Sequence, residues 1–427
     1  MDVVLHVSEG ERGSESRSWS EFVIVEETAP LFAASDRGLL FGDGAFVTLR
    51  LQTGCVYSLE PHLSNLRQQC DDLGISPPQF LSSPVKVKEA IHALLRAKES
   101  KGVCVSPEGS YRVKILVSGG NTHTAGGSGL SVEKRPHGIV LIVLKPHPSP
   151  PRDQPRRPLR LLVVPSGRSV VSATPLMDAW LSSVPSSFRL KSLSYIDRLA
   201  FRSLAQREGF DDVLTTVDAD VDRETKKEKE NECDDGGDGA SVSPHLSDSV
   251  LGGRRLVFPA VGDTSIHNVF WITGRRGGDG RLFPEMGVTP SCGELGLYRG
   301  STIGEVCQTV KSLRGGRYPE GGLEWREGVY SFESILSSLS VDRFLCLFVC
   351  NSLNEIIPVE GVAVPRNGTG AGEEKGHEET EERLPDCRLQ AGSLSTDFHR
   401  LDVDGEFESD FREAYFCVGV EKESLVS

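Results

Sequence analysis

Apolar residues recur at two periods along this chain, and the change of period marks its elements. Helical spacing predicts helices over residues 60–73 and 84–98, whereas short runs rich in β-branched and aromatic residues predict strands over 22–26, 46–51, 111–118 and 138–144. Asp43-Gly44 reads as a turn between the first two strands, and a Gly- and Thr-rich segment, 119–129, separates the last two. Residues 146–158 then hold six prolines with charges between them, a stiff extended connector and the best domain boundary. Beyond it, 159–165 reads as a strand. Ile196, Leu199, Ala200, Phe201, Leu204 and Ala205 fall at helical spacing, and Gly209 closes that helix. Strand-like runs follow at 268–271 and 344–349, and a helix over 303–313 carries Val306 and Val310 at helical spacing. There is no internal repeat. The expected architecture is mixed α/β: an N-terminal extension (1–20), a small α/β domain (21–145), the linker (146–158), and a larger α/β domain (159–427).

At 427 residues the chain can bury two substantial cores. Acidic residues outnumber basic ones 61 to 47, a net charge of −14, which argues against an extended nucleic-acid or anionic-membrane surface. Much of the excess sits at 218–249, with Asp234-Asp-Gly-Gly-Asp-Gly239, and at 366–383, with Glu378-Glu-Thr-Glu-Glu382. Both read as disordered insertions, because such composition cannot bury enough apolar surface to offset its ordering entropy. The ten cysteines lack paired zinc-ligand spacing, no metal site is expected, and Cys346 and Cys350 read as reduced core thiols. No apolar run is long enough for a bilayer and no charged-then-apolar leader appears, so a cytoplasmic location is expected, with plastid import as the alternative. Asn367-Gly-Thr369 is a chance glycosylation match in that setting.

The chemistry gathers around Lys191. It ends an irregular stretch, 180–187, and precedes the amphipathic helix, whose packing would orient it. A solvated lysine at a helix start is one reading; a desolvated amine that loses its proton and attacks an aldehyde is the other. Arg299-Gly-Ser301-Thr302 precedes the helix over 303–313 and reads either as simple capping or as an anion site built from free backbone N–H groups and hydroxyls. Asp263-Thr264-Ser265 is either a turn or a carboxylate set before the strand that holds Asn268.

Four segments in order give these alternatives a context: Asp36-Arg-Gly-Leu-Leu-Phe-Gly-Asp-Gly-Ala-Phe-Val-Thr-Leu-Arg50, the Lys191 segment, Asp263-Thr-Ser-Ile-His-Asn-Val-Phe-Trp271, and Phe348-Val-Cys-Asn-Ser-Leu-Asn-Glu-Ile-Ile-Pro-Val359. Together they resemble the class IV, fold-type-IV family of pyridoxal-phosphate enzymes over about residues 20–365. Within it, Gly42-Asp-Gly-Ala-Phe-Val-Thr-Leu-Arg50 and Cys350-Asn-Ser-Leu353 are most similar to aminodeoxychorismate lyases. The resemblance implies a two-domain enzyme with a C-terminal pseudo-barrel, a homodimer, and pyridoxal 5'-phosphate as cofactor for a small amino substrate. It implies Lys191 as Schiff-base lysine and general base, Asp263 against the pyridine nitrogen where the family ordinarily has glutamate, Thr264 and Ser265 beside it, Ser301 and Thr302 at the phosphate, and Tyr195 at the phenolate oxygen. An ordinary buried tyrosine is the alternative for Tyr195, and His62 reads as packing on its helix. The implied reaction releases pyruvate and 4-aminobenzoate for folate synthesis; the alternatives are a D-amino-acid or branched-chain transaminase, or a non-catalytic binding subunit. Three departures bear on this: Asn65 stands for a phosphate-gripping arginine unless Arg67 substitutes, Gly119 for a substrate-carboxylate arginine, and Ile303 for the arginine after the phosphate-binding threonine.

Overall fold

The computed structural model describes residues 3–8, 23–102, 109–120, 135–136, 138–147, 156–169, 190–220, 257–295, 297–337, 343–365, 396–415 and 422–424. The stretch 180–187, most of the Gly- and Thr-rich segment and of the proline-rich connector, and both acidic insertions beyond Asp220 and Pro365 lie outside them.

The first half contributes β1 (Val3–Ser8), β2 (Val23–Glu26), α1 (Arg37–Phe41), β3 (Gly44–Gln52), β4 (Cys55–Tyr57), α2 (Leu59–Asp72), β5 (Ile75–Ser76), α3 (Pro84–Ser100), β6 (Ser110–Ser118), β7 (Arg135–Pro136) and β8 (Ile139–Pro146). The second contributes β9 (Leu159–Ser169), α4 (Ile196–Arg207), β10 (Asp212–Asp220), β11 (Val257–Val261), β12 (Asn268–Arg276), β13 (Leu282–Pro290) and α5 (Cys292–Leu295). It continues with α6 (Ser301–Ser312), β14 (Glu324–Gly328), α7 (Phe332–Ser337), β15 (Arg343–Asn351), β16 (Glu355–Pro365), β17 (Thr396–Arg400), α8 (Gly405–Ala414) and β18 (Lys422–Ser424).

A seven-stranded sheet runs β18-β4-β3-β6-β8-β1-β2. Alternation along β3, β6 and β8 sends Val47, Leu49, Val113, Ile115, Val140 and Ile142 to one face, where α2 and α3 cover them with Leu59, Leu63, Leu66, Val87, Ile91 and Leu94. Each such fully buried side chain stabilises the fold by about 1.5–3 kcal/mol before entropy is counted. Ser83 begins α3 by accepting from the Lys86 N–H, with Pro84 in the first turn where its missing N–H costs nothing.

The second sheet has nine strands along β11-β10-β9-β16-β15-β12-β13-β14, with β17 paired to β16. One face buries Leu161, Leu214, Val269, Leu345 and Val359; the other packs Phe270 and Phe348 under α6 and α8 through Val306, Val310, Phe407 and Phe411. Cys346 and Cys350 are free buried thiols in that core, as expected. The β15–β16 turn docks on the first sheet: Ser352 Oγ donates to the Thr48 carbonyl at 2.6 Å, and Arg50 and Glu355 form a buried ion pair. Among the described residues no helix is long and apolar enough to cross a membrane.

Four expectations change. Residues 1–20 are not wholly an extension, since Val3–Ser8, rich in β-branched and aliphatic residues, inserts between β8 and β2. The 159–427 domain also returns part of itself, because β18 pairs with β4 of the first sheet. Asp43-Gly44 is not a hairpin turn: α1 intervenes, capped by Asp36 and ended by Gly42 at φ 67°, and Asp43 pairs with Arg37 at 2.6 Å. On α4 only part of the apolar pattern packs. Ala205 is buried with Phe201 and Leu204 against it, while Ile196 and Leu199 are exposed.

Candidate functional site

Lys191 has its main chain held from two sides. The Phe46 N–H donates to its carbonyl at 2.9 Å, and its own N–H donates to Gln69 Oε1 at 2.7 Å. Leu193 completes the bridge by donating to the Gly44 carbonyl at 2.9 Å. This explains two glycines of the Gly42-Asp-Gly44 motif. A Cβ on Gly44 would lie 2.4 Å from the Val117 carbonyl and 2.7 Å from Leu193, and one on Gly42 would strike Ser194 at 2.9 Å. Glycine there lets the lysine segment lie directly on the start of β3.

The Lys191 side chain reaches a cavity between the two sheets, with Nζ 4.9 Å from the ring centre of Tyr298. His62, Arg198, Asp263, Asn268, Gly300, Ser301, Thr302 and Ser352 line the same cavity. Burial pushes the Lys191 amine down to about 8, with the Arg198 guanidinium acting in the same sense and the Asp263 carboxylate against it. Near neutral pH a useful fraction of this amine is therefore unprotonated and nucleophilic.

Asp263 ends the segment after β11 and is 4% exposed. Its carbonyl accepts from Thr215 N–H and Oγ, at 2.9 and 2.6 Å, and its carboxylate accepts from Asn268 Nδ2 at 3.2 and 3.3 Å. Burial pushes this carboxyl up to about 7, opposed by Arg198, the Asn268 hydrogen bond and Lys191. Asn268 also donates to the Tyr298 carbonyl at 2.8 Å, so one amide spans the acid and the loop that leads into α6.

That loop ends at Gly300, the residue before α6, which makes no side-chain cap. The first-turn N–H groups of α6 thus face the cavity with the partial positive charge of a helix start, beside Ser301 and Thr302. A Cβ on Gly300 would sit 2.2 Å from Asn268 Oδ1, so the close approach of loop and strand requires glycine.

Of the residues expected at the site, Lys191, Asp263, Ser301 and Thr302 meet at this cavity. Thr264 and Ser265 do not line it. Thr264 Oγ accepts from the His267 N–H at 2.9 Å in a tight turn behind Asp263, and the Ser265 carbonyl faces Tyr195 and Arg198. Tyr195 also stays outside: its hydroxyl donates to the Ser265 carbonyl at 3.2 Å and its ring packs edge-on against Phe46. His62 is a wall residue rather than helix packing alone. Its Nδ1 is 2.7 Å from the Ser58 carbonyl, and burial pushes it down to about 4, so it is a neutral ring.

The arginine departures also resolve. Arg67 points away, to Glu60 at 2.8 Å and the Leu81 carbonyl, so it does not replace Asn65. A Cβ on Gly119 would come within 2.8 Å of Asp43, which leaves no room for an arginine, and Ile303 is core packing under the second sheet. Arg198, Asn268 and Tyr298 were not singled out for the site from sequence. Arg198 is 6% exposed in the structure, and the only trace of it in the sequence is an arginine seven residues after the lysine.

The donor set fits pyridoxal phosphate: a desolvated amine for an aldehyde, a glycine-lined helix start for a phosphate, and a buried carboxyl for a ring nitrogen.

Residues 44–221 match the model of the amino-transferase class IV family. Over 351 residues, 82% of this chain and 87% of the relative, the sequence is 24% identical to the aminodeoxychorismate lyase of Bacillus subtilis (strain 168). The fold is similar to that of a fold IV-transaminase from Curtobacterium pusillum, with a TM-score of 0.57 and 16% identity over 100% of both chains. It is also similar to the PLP-bound form of a hypothetical aminotransferase from Mycobacterium tuberculosis, with a TM-score of 0.53 and 15% identity over 84% of this chain and 90% of that one. The architecture is therefore that of fold type IV.

Proposed function

We propose that this chain, a pyridoxal-phosphate-dependent enzyme whose residues 44–221 belong to the class IV amino-transferase family, is an aminodeoxychorismate lyase that releases pyruvate and leaves 4-aminobenzoate for folate synthesis. The observation that carries it is the likeness to the Bacillus subtilis lyase, which spans 82% of this chain and 87% of that relative.

Bound pyridoxal phosphate supplies an aldehyde for the lysine and a ring that accepts electrons from a bond broken beside the substrate nitrogen. The residues do the rest. Lys191 would hold the cofactor through its amine, and the same amine, when free, would be the base for the proton on the carbon beside the substrate nitrogen. Asp263 would accept the hydrogen bond of a protonated ring nitrogen, and Asn268, donating to both carboxylate oxygens, keeps the carboxylate aimed. The first turn of α6, with Ser301 and Thr302, would take the phosphate.

For the substrate carboxylate, Gly119 offers nothing, and Lys114 on β6, which does not itself line the cavity, is the cation we assign to it, because Arg198 in the wall already donates to the Ser265 carbonyl. It is half-buried, its ammonium lies 4.0 Å from the Phe46 ring centre, and its charge reaches Lys191. The test is product analysis with aminodeoxychorismate, where pyruvate and 4-aminobenzoate are expected in equal amounts. A 2-oxo acid and a new amino acid instead would favour the transaminase reading, D-amino-acid or branched-chain. In the same assay Lys114→Gln should raise KM about tenfold or more and leave kcat within about threefold, the pattern of a lost charged contact made in ground and transition states alike.

A second copy of the chain is part of this proposal. Leu39, Leu40 and Phe41 on α1 and Ile196 and Leu199 on α4 are 48–68% exposed, and Gly42 lies against Ser194, which brings the two helices side by side next to the lysine. Such a patch is costly in water. Light scattering should give a dimer, and Leu40→Glu with Ile196→Glu should give a monomer; a wild-type monomer would remove the homodimer from the reading.

A further inference from the structure

Asn65 stands where an arginine was expected from the resemblance, and the geometry assigns it work of a different kind. It lies on α2 one turn before Gln69, and the Gln69 Nε2 donates to the Asn65 carbonyl at 3.0 Å. Gln69 is buried, and its Oε1 accepts the Lys191 N–H at 2.7 Å. Asn65 Nδ2 donates to Ser301 Oγ at 3.0 Å and to the Arg299 carbonyl at 3.3 Å. The Tyr298 hydroxyl contacts both amides, while its ring lies under the Lys191 amine.

We propose that Asn65 and Gln69 are positioning residues: one strut on α2 that fixes the spacing between the Lys191 amine and the phosphate-binding start of α6. A bound cofactor would touch the chain at both of these places. Lys191 and Ser301 are 110 positions apart in sequence, and α2 bonds to both through residues four apart on one helical face. Asn65 has a second effect. Because Ser301 Oγ accepts from it, the Ser301 hydroxyl proton is left to donate, and a donor polarised in this way is a better partner for an anion. An arginine at position 65 would bind phosphate by its own charge; this asparagine acts by shaping the loop and serine that bind it.

The inference rests on pyridoxal phosphate as the group held and not on which reaction follows, so the readouts are binding alone and stay valid if the lyase assay fails. Pyridoxal phosphate is titrated by its visible band on the full chain at pH 8, inorganic phosphate is used as competitor, and melting temperature reports folding. Asn65→Leu should weaken both ligands about tenfold, the expected loss for two hydrogen bonds at the edge of a charged site. Gln69→Leu should weaken pyridoxal phosphate and move the pH midpoint of its capture, yet leave inorganic phosphate within about twofold. Asn65→Arg should bind neither ligand more tightly than wild type. Unchanged binding in Asn65→Leu, or tenfold tighter binding in Asn65→Arg, would overturn the strut and make position 65 an empty cation site. If Asn65→Leu melts early, Asn65→Arg decides alone.

Discussion

Replacement of Lys191 by alanine will leave a folded chain that no longer fixes pyridoxal phosphate covalently. Borohydride reduction of the loaded wild type should attach the cofactor to the chain, seen as a mass increase, and the same treatment of Lys191→Ala should attach none. Turnover should fall about 10³- to 10⁴-fold, because one amine serves as anchor and as general base. Folding should survive, since the two hydrogen bonds that fix residue 191 come from its main chain, to Gln69 and Phe46, and not from the amine. The pH dependence has a definite sign. Burial lowers the Lys191 amine to about 8 from its ordinary value of 10.5, so covalent capture should rise with pH and reach half its limit near pH 8. A depressed lysine also means that the folded chain binds fewer protons than the unfolded one between these values. Its contribution to stability is complete above 10.5 and is lost as pH falls through 8, so removing the amine relieves a cost at pH 7 and the melting temperature should not drop there. Equal mass labelling in Lys191→Ala would show that another amine holds the cofactor.

What could be read in the sequence was what local pattern encodes. The helices at Leu59–Asp72, Pro84–Ser100 and Ser301–Ser312 and the strands expected at 46–51, 111–118, 138–144, 159–165, 268–271 and 344–349 begin within two residues of where apolar period places them, because each buries one face against a layer. Lys191, Asp263, Ser301 and Thr302 were legible through ordered motifs and do share a cavity. The rest depended on pairing over long distances. Val3–Ser8 becomes a strand because β8 and β2 offer edges to it, and Lys422–Ser424 does so against β4. Asn65 stood out in the sequence only as a missing arginine and Gln69 not at all, because their partners at Ser301 and Lys191 are 236 and 122 residues away. Thr264, Ser265 and Tyr195 failed as wall residues for a related reason. Adjacency in sequence to Asp263 or Lys191 says nothing about direction once the chain turns, and the 264–267 turn points these groups at one another.

The second large effect concerns Asp263, where function and stability should separate. Asp263→Asn keeps the shape and an oxygen for Asn268 but cannot carry the charge that holds a proton on the ring nitrogen. Loss of one such preorganised electrostatic partner should lower kcat about 10²- to 10³-fold while Lys191 still captures the cofactor. In the wild type, burial raises this carboxyl to about 7, so kcat/KM should fall as pH drops through 7, and that acidic limb should vanish in Asp263→Asn. The linkage runs opposite to that of a surface carboxylate. With a folded pKa above the unfolded value of 3.8, the group's contribution to stability is complete below 3.8 and is lost as pH rises through 7. Without cofactor, Asp263→Asn should therefore melt higher than wild type at pH 8 and show no gain at pH 3.5. A variant that is slower and yet more stable is the signature of a buried charge kept for chemistry at the expense of folding. An unchanged kcat would remove Asp263 from the site, and an equal melting gain at both pH values would assign its effect to packing rather than charge.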